Sequence, residues 1–154
     1  MILSAWRITK ATHAPEAFSG EGAWHFGGRW NSPGTRVVYT AEHASLAVLE
    51  VLVHLESSLQ LPSYSLIQAD FDEGNIERID ASKLPKNWRR GPAPAETQII
   101  GDDWVGERRS LVLGVPSAIL PIEMIYLINP EHPHFGKVTI YEPQPFSFDK
   151  RLVG

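Results

Sequence analysis

The residue most able to do chemistry is a carboxylate in an apolar run. Residues 44–55 read ASLAVLEVLVHL, and Glu50 is the one acid among them. At about 100° per residue, His43, Ala47, Glu50, His54 and Ser57 fall on one narrow stripe of a helix. A surface helix normally gives its polar side about half the circumference. Here the strip is thin, so the helix is expected to be deeply packed. The strip then either faces a cleft, with Glu50 as a reactive group, or is a plain solvated stripe; the segment alone fits both.

The second group is Gly27-Gly28-Arg29-Trp30-Asn31. Paired glycines allow close approach of a ligand to the backbone. Arg29 offers a planar fork for phosphate or carboxylate. Trp30 offers a stacking face and Asn31 a donor and an acceptor. The competing reading is a loop of turn-forming glycines with a tryptophan that plugs the core. The run Gly20-Glu21-Gly22 has His25 where a dinucleotide fingerprint needs its third glycine, so that motif is absent. His132 and His134 flank Pro133 without a third ligand at suitable spacing, which favours solvated or hydrogen-bonded histidines over a metal site. Ser117 lacks the glycine-flanked elbow of a hydrolase nucleophile. No metal site is expected.

The elements that must position these groups can be sketched from periodicity. Residues 2–9 read as an opening strand and residues 36–39, RVVY, as a second. Between them, residues 12–35 read as a long loop, a length that in a compact domain usually serves function. Thr40 is the expected N-cap of a helix running to about Ser57 or Ser58. Residues 63–71 alternate as a strand and 76–79 as a shorter one. A helix over 95–105 is interrupted by Gly101. Six of the 12 prolines lie from Pro116 to Pro145, so the end of the chain favours strands, at 111–115, 124–128 and 137–141. The order predicts an α+β fold: a mixed β-sheet core with few helices, in one domain spanning 1–154.

Composition narrows the function. The 154 residues include no cysteine, which excludes thiol nucleophiles, Cys-ligated metals and disulfides. The formal charge of −4 opposes direct nucleic-acid binding. No run approaches the ~18 apolar residues of a membrane span, and the first residues lack a secretory pattern. The expectation is a cytoplasmic protein.

Taken in order, these segments resemble the RES domain, the toxin half of RES–Xre toxin–antitoxin systems. The resemblance rests on Trp6-Arg7-Ile8, GGRWNSPGTRVVYTA with Arg29, SLAVLEVLVH with Glu50, VPSAILP with Ser117, and NPEHPHF at 129–135. It covers nearly the whole length, loosely over 60–110. It implies an ADP-ribosyltransferase-like fold and an enzyme that depletes NAD as its substrate, with no further cofactor. Water, phosphate or a protein would accept the ADP-ribose. It implies catalytic residues at Arg29, Tyr39, Glu50 and Ser117, with Arg7, Gly28, Arg29, Trp30, Asn31 and Tyr39 binding NAD. The expected partner is an Xre-type helix-turn-helix antitoxin. The nicotinamide of NAD is a cationic leaving group, so its loss needs a negative charge near the ribose rather than a strong acid. Glu50 would supply that charge, Arg29 with Arg7 would grip the pyrophosphate, Tyr39 would stack the nicotinamide, and Ser117 would orient Glu50 or a ribose hydroxyl. Apolar surroundings should raise the Glu50 pKa and a nearby Arg should lower it. An RNase toxin and a non-catalytic binding domain are the alternatives.

Overall fold

The computed structural model describes residues 1–55 and 62–152. Its centre is an eight-stranded sheet. In chain order the strands are β1 (Ile2–Lys10), β2 (Val38–Ala41), β3 (Tyr64–Asp72), β4 (Ile76–Arg78), β5 (Val112–Pro116), β6 (Met124–Ile128), β7 (Thr139–Ile140) and β8 (Gln144–Phe146). They are arranged β4-β5-β6-β2-β1-β3-β7, with β8 also on β3. Only the β4–β5 pair is parallel among the described strands. The mixed-sheet expectation therefore describes the fold.

Among the described residues three α-helices accompany the sheet: α1 (Glu21–Phe26), α2 (Ala44–Leu52) and α3 (Ala95–Gly106). Alternation along the strands sends side chains to two cores. Ile8, Leu113, Val115 and Leu127 join Leu46 and Ala47 of α2 and Trp104 of α3 on one face. Ala5, Ile67, Ala69, Phe71, Val112 and Ile128 lie on the other, covered by Phe18 and Val138. With both faces buried, β5 and β6 read as continuous apolar runs rather than alternating ones.

Several sequence expectations shift. The long loop at 12–35 holds a 3-10 turn (Ala11–Glu16) and α1. Gly20 and Gly27 take left-handed φ values of 75° and 72° at the two ends of α1, so these glycines bound a helix rather than extend a loop. The second strand lies two residues further on, because Val38–Ala41 pair in register with Ile125–Ile128. Thr40 is therefore a buried strand residue whose Oγ1 donates to the Tyr126 carbonyl at 2.7 Å. His43 holds the N-cap position without a side-chain cap bond. Helix α2 ends at Leu52 instead of reaching the fifties' end; Ser57 and Ser58 lie outside the described residues. Helix α3 runs straight through Gly101. The expected strand at 137–141 shrinks to β7, with Lys137 in a 3-10 turn, and β8 is an additional strand. Among the described residues no helix is long and apolar enough to cross a membrane.

Candidate active site

Helix α2 delivers Glu50 beside the turn that follows β5. There the Ser117 hydroxyl donates to Glu50 Oε1 at 3.0 Å. The same hydroxyl oxygen accepts from the main-chain N–H groups of Ile119 and Leu120, both at 3.1 Å. A hydroxyl has one proton and two acceptor positions. With both acceptor positions taken, the proton is directed at the carboxylate. Ser117 is 0% exposed, so water does not compete for that proton.

Partial burial raises the Glu50 pKa above the ordinary glutamate value. The Ser117 bond opposes that rise, followed by the charges of His54 and Arg29. This is the balance that an apolar helix and a nearby Arg predict. No Arg29–Glu50 ion pair within 4.0 Å occurs among the described residues.

Arg29 stands on the connection between α1 and β2. Its Nη1 donates to the carbonyls of Trp88 at 2.8 Å and Arg90 at 2.7 Å. Burial lowers its pKa, while Glu50 and Tyr39 hold it up. An arginine starting above 12 stays charged through such a change.

The rest of the glycine-rich loop is built around Tyr39. Its hydroxyl donates to Asn31 Oδ1 at 2.7 Å and accepts from the Trp30 N–H at 3.0 Å. Burial pushes its pKa well above the usual tyrosine value. Gly28 N donates to the Asn31 carbonyl at 3.0 Å, closing a tight turn. A Cβ at Gly28 would lie 2.6 Å from the Tyr39 oxygen. The space expected to admit a ligand at Gly28 is thus filled by Tyr39.

Asn31 is 0% exposed, with its amide nitrogen bonded to the carbonyls of Ala23, Ser32 and Thr35. Trp30 is 2% exposed and packs at 6.4 Å from Trp88, ring centre to ring centre. Both were expected to bind substrate; in the folded chain they build the loop from below, because their polar and apolar surfaces are already enclosed.

Arg7 also differs from expectation. It registers with Ile67, whose side chain belongs to the second core, away from α2. Its Nη1 donates to the Tyr39 carbonyl at 2.9 Å, where β1 and β2 pair only at Trp6 and Ala41. Burial lowers its pKa to about 10, and its Nε is buried without a hydrogen-bond partner among the described residues.

The sequence offers elements but no site residue within 60–110, yet that region fastens the site. Gln98 Nε2 donates to the Gly28 carbonyl at 3.0 Å. Asp102 accepts from Ser32 N at 2.9 Å and Ser32 Oγ at 2.6 Å. A Cβ at Gly101 would overlap the Trp30 carbonyl. The one advance signal was Gly101, since a glycine inside a helix often marks close packing.

Two groups resemble metal ligands. Glu42, His43 and Glu123 hold ligand atoms within 4.8 Å of one another. Their atoms already serve the fold: Glu42 accepts from Met124 N at 2.9 Å, and His43 Nδ1 lies 3.1 Å from Glu123. His132 Nδ1 accepts from His134 N at 3.0 Å, so of the solvated and hydrogen-bonded arrangements the pair takes the second.

Comparison with known proteins gives concordant matches. A family model described as the RES domain matches residues 4–149. The chain is 39% identical over 148 residues to the "Toxin Res" of Yersinia enterocolitica, covering 96% of this chain and 97% of that one. It is 35% identical over 159 residues to the "Prs ADP-ribosylating toxin" of Sphingobium sp., covering 99% and 98%. Among solved structures, the M. tuberculosis MbcT–MbcA toxin–antitoxin complex contains a chain with the same fold. The TM-score is 0.78 at 18% identity, over 96% of this chain and 85% of that one.

Proposed function

The chain belongs to the RES domain family, and from that premise we propose that it is the toxin of a type II toxin–antitoxin pair, an enzyme that degrades NAD by cleaving the nicotinamide–ribose bond. The observation that carries this reading is the Ser117-oriented Glu50 carboxylate, held in partly apolar surroundings with Arg29 as a nearby cation. As nicotinamide departs, the ribose acquires oxocarbenium character. A fixed carboxylate stabilises that charge, and does so more strongly in a site of low polarity than in water. Glu50 also accepts a hydrogen bond from a ribose hydroxyl. Ser117 holds the carboxylate still, so little reorganisation is needed at the moment of reaction.

Arg29 binds the pyrophosphate. Nη1 is occupied by two carbonyls, which leaves the Nε and Nη2 donors for the substrate. Tyr39, through its hydroxyl, keeps the Arg29 loop at its set height and offers its ring to the nicotinamide. No further cofactor is required, since NAD itself brings the leaving group.

The name of the Sphingobium relative, an ADP-ribosylating toxin, makes a protein side chain one candidate acceptor beside water and phosphate. The toxin acts in the cytoplasm and is silenced by an Xre-type helix-turn-helix antitoxin that covers the Arg29–Glu50 region. The test is incubation of purified protein with NAD, with and without phosphate, with products resolved by mass. Free ADP-ribose, ADP-ribose-1-phosphate or a modified protein identifies the acceptor. Intact NAD under all conditions overturns the reading. Addition of the co-expressed antitoxin should abolish turnover; full turnover by a stoichiometric complex contradicts occlusion.

A further inference from the structure

Arg29 has a neighbour in space that the loop sequence does not supply. Its Nη1 bonds the carbonyls of both Trp88 and Arg90, so its guanidinium sits within hydrogen-bond reach of the chain on either side of Arg89. Consecutive Cα atoms are about 3.8 Å apart, so Arg89 is tethered beside Arg29.

The Arg89 side chain reaches toward the other half of the site. Its Nε donates to the Ala118 carbonyl at 2.8 Å. Ala118 follows Ser117, whose hydroxyl holds Glu50. One residue therefore bridges the Arg29 loop and the turn behind the catalytic carboxylate.

How Arg89 is held matters as much as where. Arg109 is engaged by Glu77 and Glu107, and Arg151 by Asp149. Those carboxylates neutralise their partners. Arg89 is fixed by a neutral carbonyl, which orients the guanidinium without cancelling its charge. Among the described residues, no carboxylate lies within 4.0 Å of it and its Nη1 and Nη2 have no protein partner. Four of its five N–H donors are thus available.

We propose that Arg89 is a substrate-binding residue, and that Arg89 and Arg29 together form a two-guanidinium seat for the diphosphate of a dinucleotide. This rests on the NAD reading for its physiological ligand. A diphosphate presents two adjacent anionic groups, and a planar fork can meet each one bidentately. Arg7, the second cation that the resemblance implies, lies in register with Ile67 of the other core, away from α2. Arg89 takes the role that expectation gave to Arg7.

The experiment measures ADP binding by titration calorimetry to the wild-type chain, Arg89→Gln and Arg89→Lys. ADP carries the diphosphate but no scissile nicotinamide bond, so binding does not depend on turnover. Arg89→Gln should weaken ADP binding about tenfold or more. Arg89→Lys should fall between, because it keeps the charge and loses the fork. The thermal midpoint should hold in both, and the KM for NAD should rise more than kcat falls. Equal ADP affinity in wild type and Arg89→Gln overturns the proposal, as does a wild-type chain that binds no ADP. If the wild type binds ADP through Arg89 yet leaves NAD intact, the NAD-cleavage reading fails and the diphosphate seat stands.

Discussion

At the residue scale, activity and stability should pull in opposite directions at Glu50. Glu50→Gln keeps the shape and keeps an oxygen for the Ser117 hydroxyl, so packing is conserved. It removes the charge proposed to stabilise the oxocarbenium, and loss of one such group typically costs ~10²–10³ in rate. The folded-state pKa of Glu50 is raised by burial. A carboxyl with a raised pKa holds its proton more tightly when folded, so the fold loses stability as pH climbs from the unfolded toward the folded pKa. Gln cannot ionise. The variant should therefore melt higher than wild type at pH 7, and the gap should close below the ordinary carboxylate range. Near-wild-type turnover by Glu50→Gln would return Glu50 to a solvated stripe. Ser117→Ala tests the orienting bond separately. The Ser117 bond lowers the Glu50 pKa, so its loss should move the acid limb of the kcat–pH profile to higher pH. An unmoved limb would show that Ser117 does not act on Glu50.

At the element scale, the site depends on α3 pressing against the Arg29 loop. Gly101→Ala sets two effects against each other. Alanine improves helix propensity by about 1 kcal/mol. Its methyl would overlap the Trp30 carbonyl, which is backbone and cannot swing aside. Overpacking of this kind costs about 1–3 kcal/mol or more, so the clash wins. The urea midpoint should fall, and NAD turnover with it, since displacing Trp30 also displaces its neighbour Arg29. A gain in stability on this substitution would mean that α3 and the loop are not in close contact.

At the scale of the whole molecule, charge is unevenly placed. The formal net charge is −4, yet Arg29 and Arg89 lie side by side next to the turn whose Ser117 holds Glu50. Such a cluster suits a small diphosphate and is too few cations for duplex DNA, whose binding needs many phosphates neutralised. The chain alone should show no saturable duplex binding by fluorescence anisotropy at low salt, and the antitoxin complex should bind. Tight, salt-sensitive binding by the chain itself would contradict that division of labour.

Much of this protein is legible in one dimension. Strands β1 and β3 follow from their alternating pattern, since burial of a strand face leaves its period in the sequence, and β6 follows from its unbroken apolar run. The apolar run of α2 singles out Glu50 for a related reason: an acid among apolar residues is costly unless partnered, so its presence is informative, although only Leu46 and Ala47 of the helix are fully buried. The resemblance to the RES domain adds Arg29 and Ser117. What the chain cannot spell out locally is which groups meet. Ser117 lies 67 positions from Glu50 and Asp102 lies 70 from Ser32. Their contacts depend on the strand order β4-β5-β6-β2-β1-β3-β7, which brings the turn after β5 beside α2. The same holds for the roles of Gly28 and Asn31, which a local reading gives to a ligand and the fold gives to Tyr39. Local pattern records whether a residue is buried; hydrogen-bond partners distant in sequence are chosen by packing, and only the tertiary structure decides them.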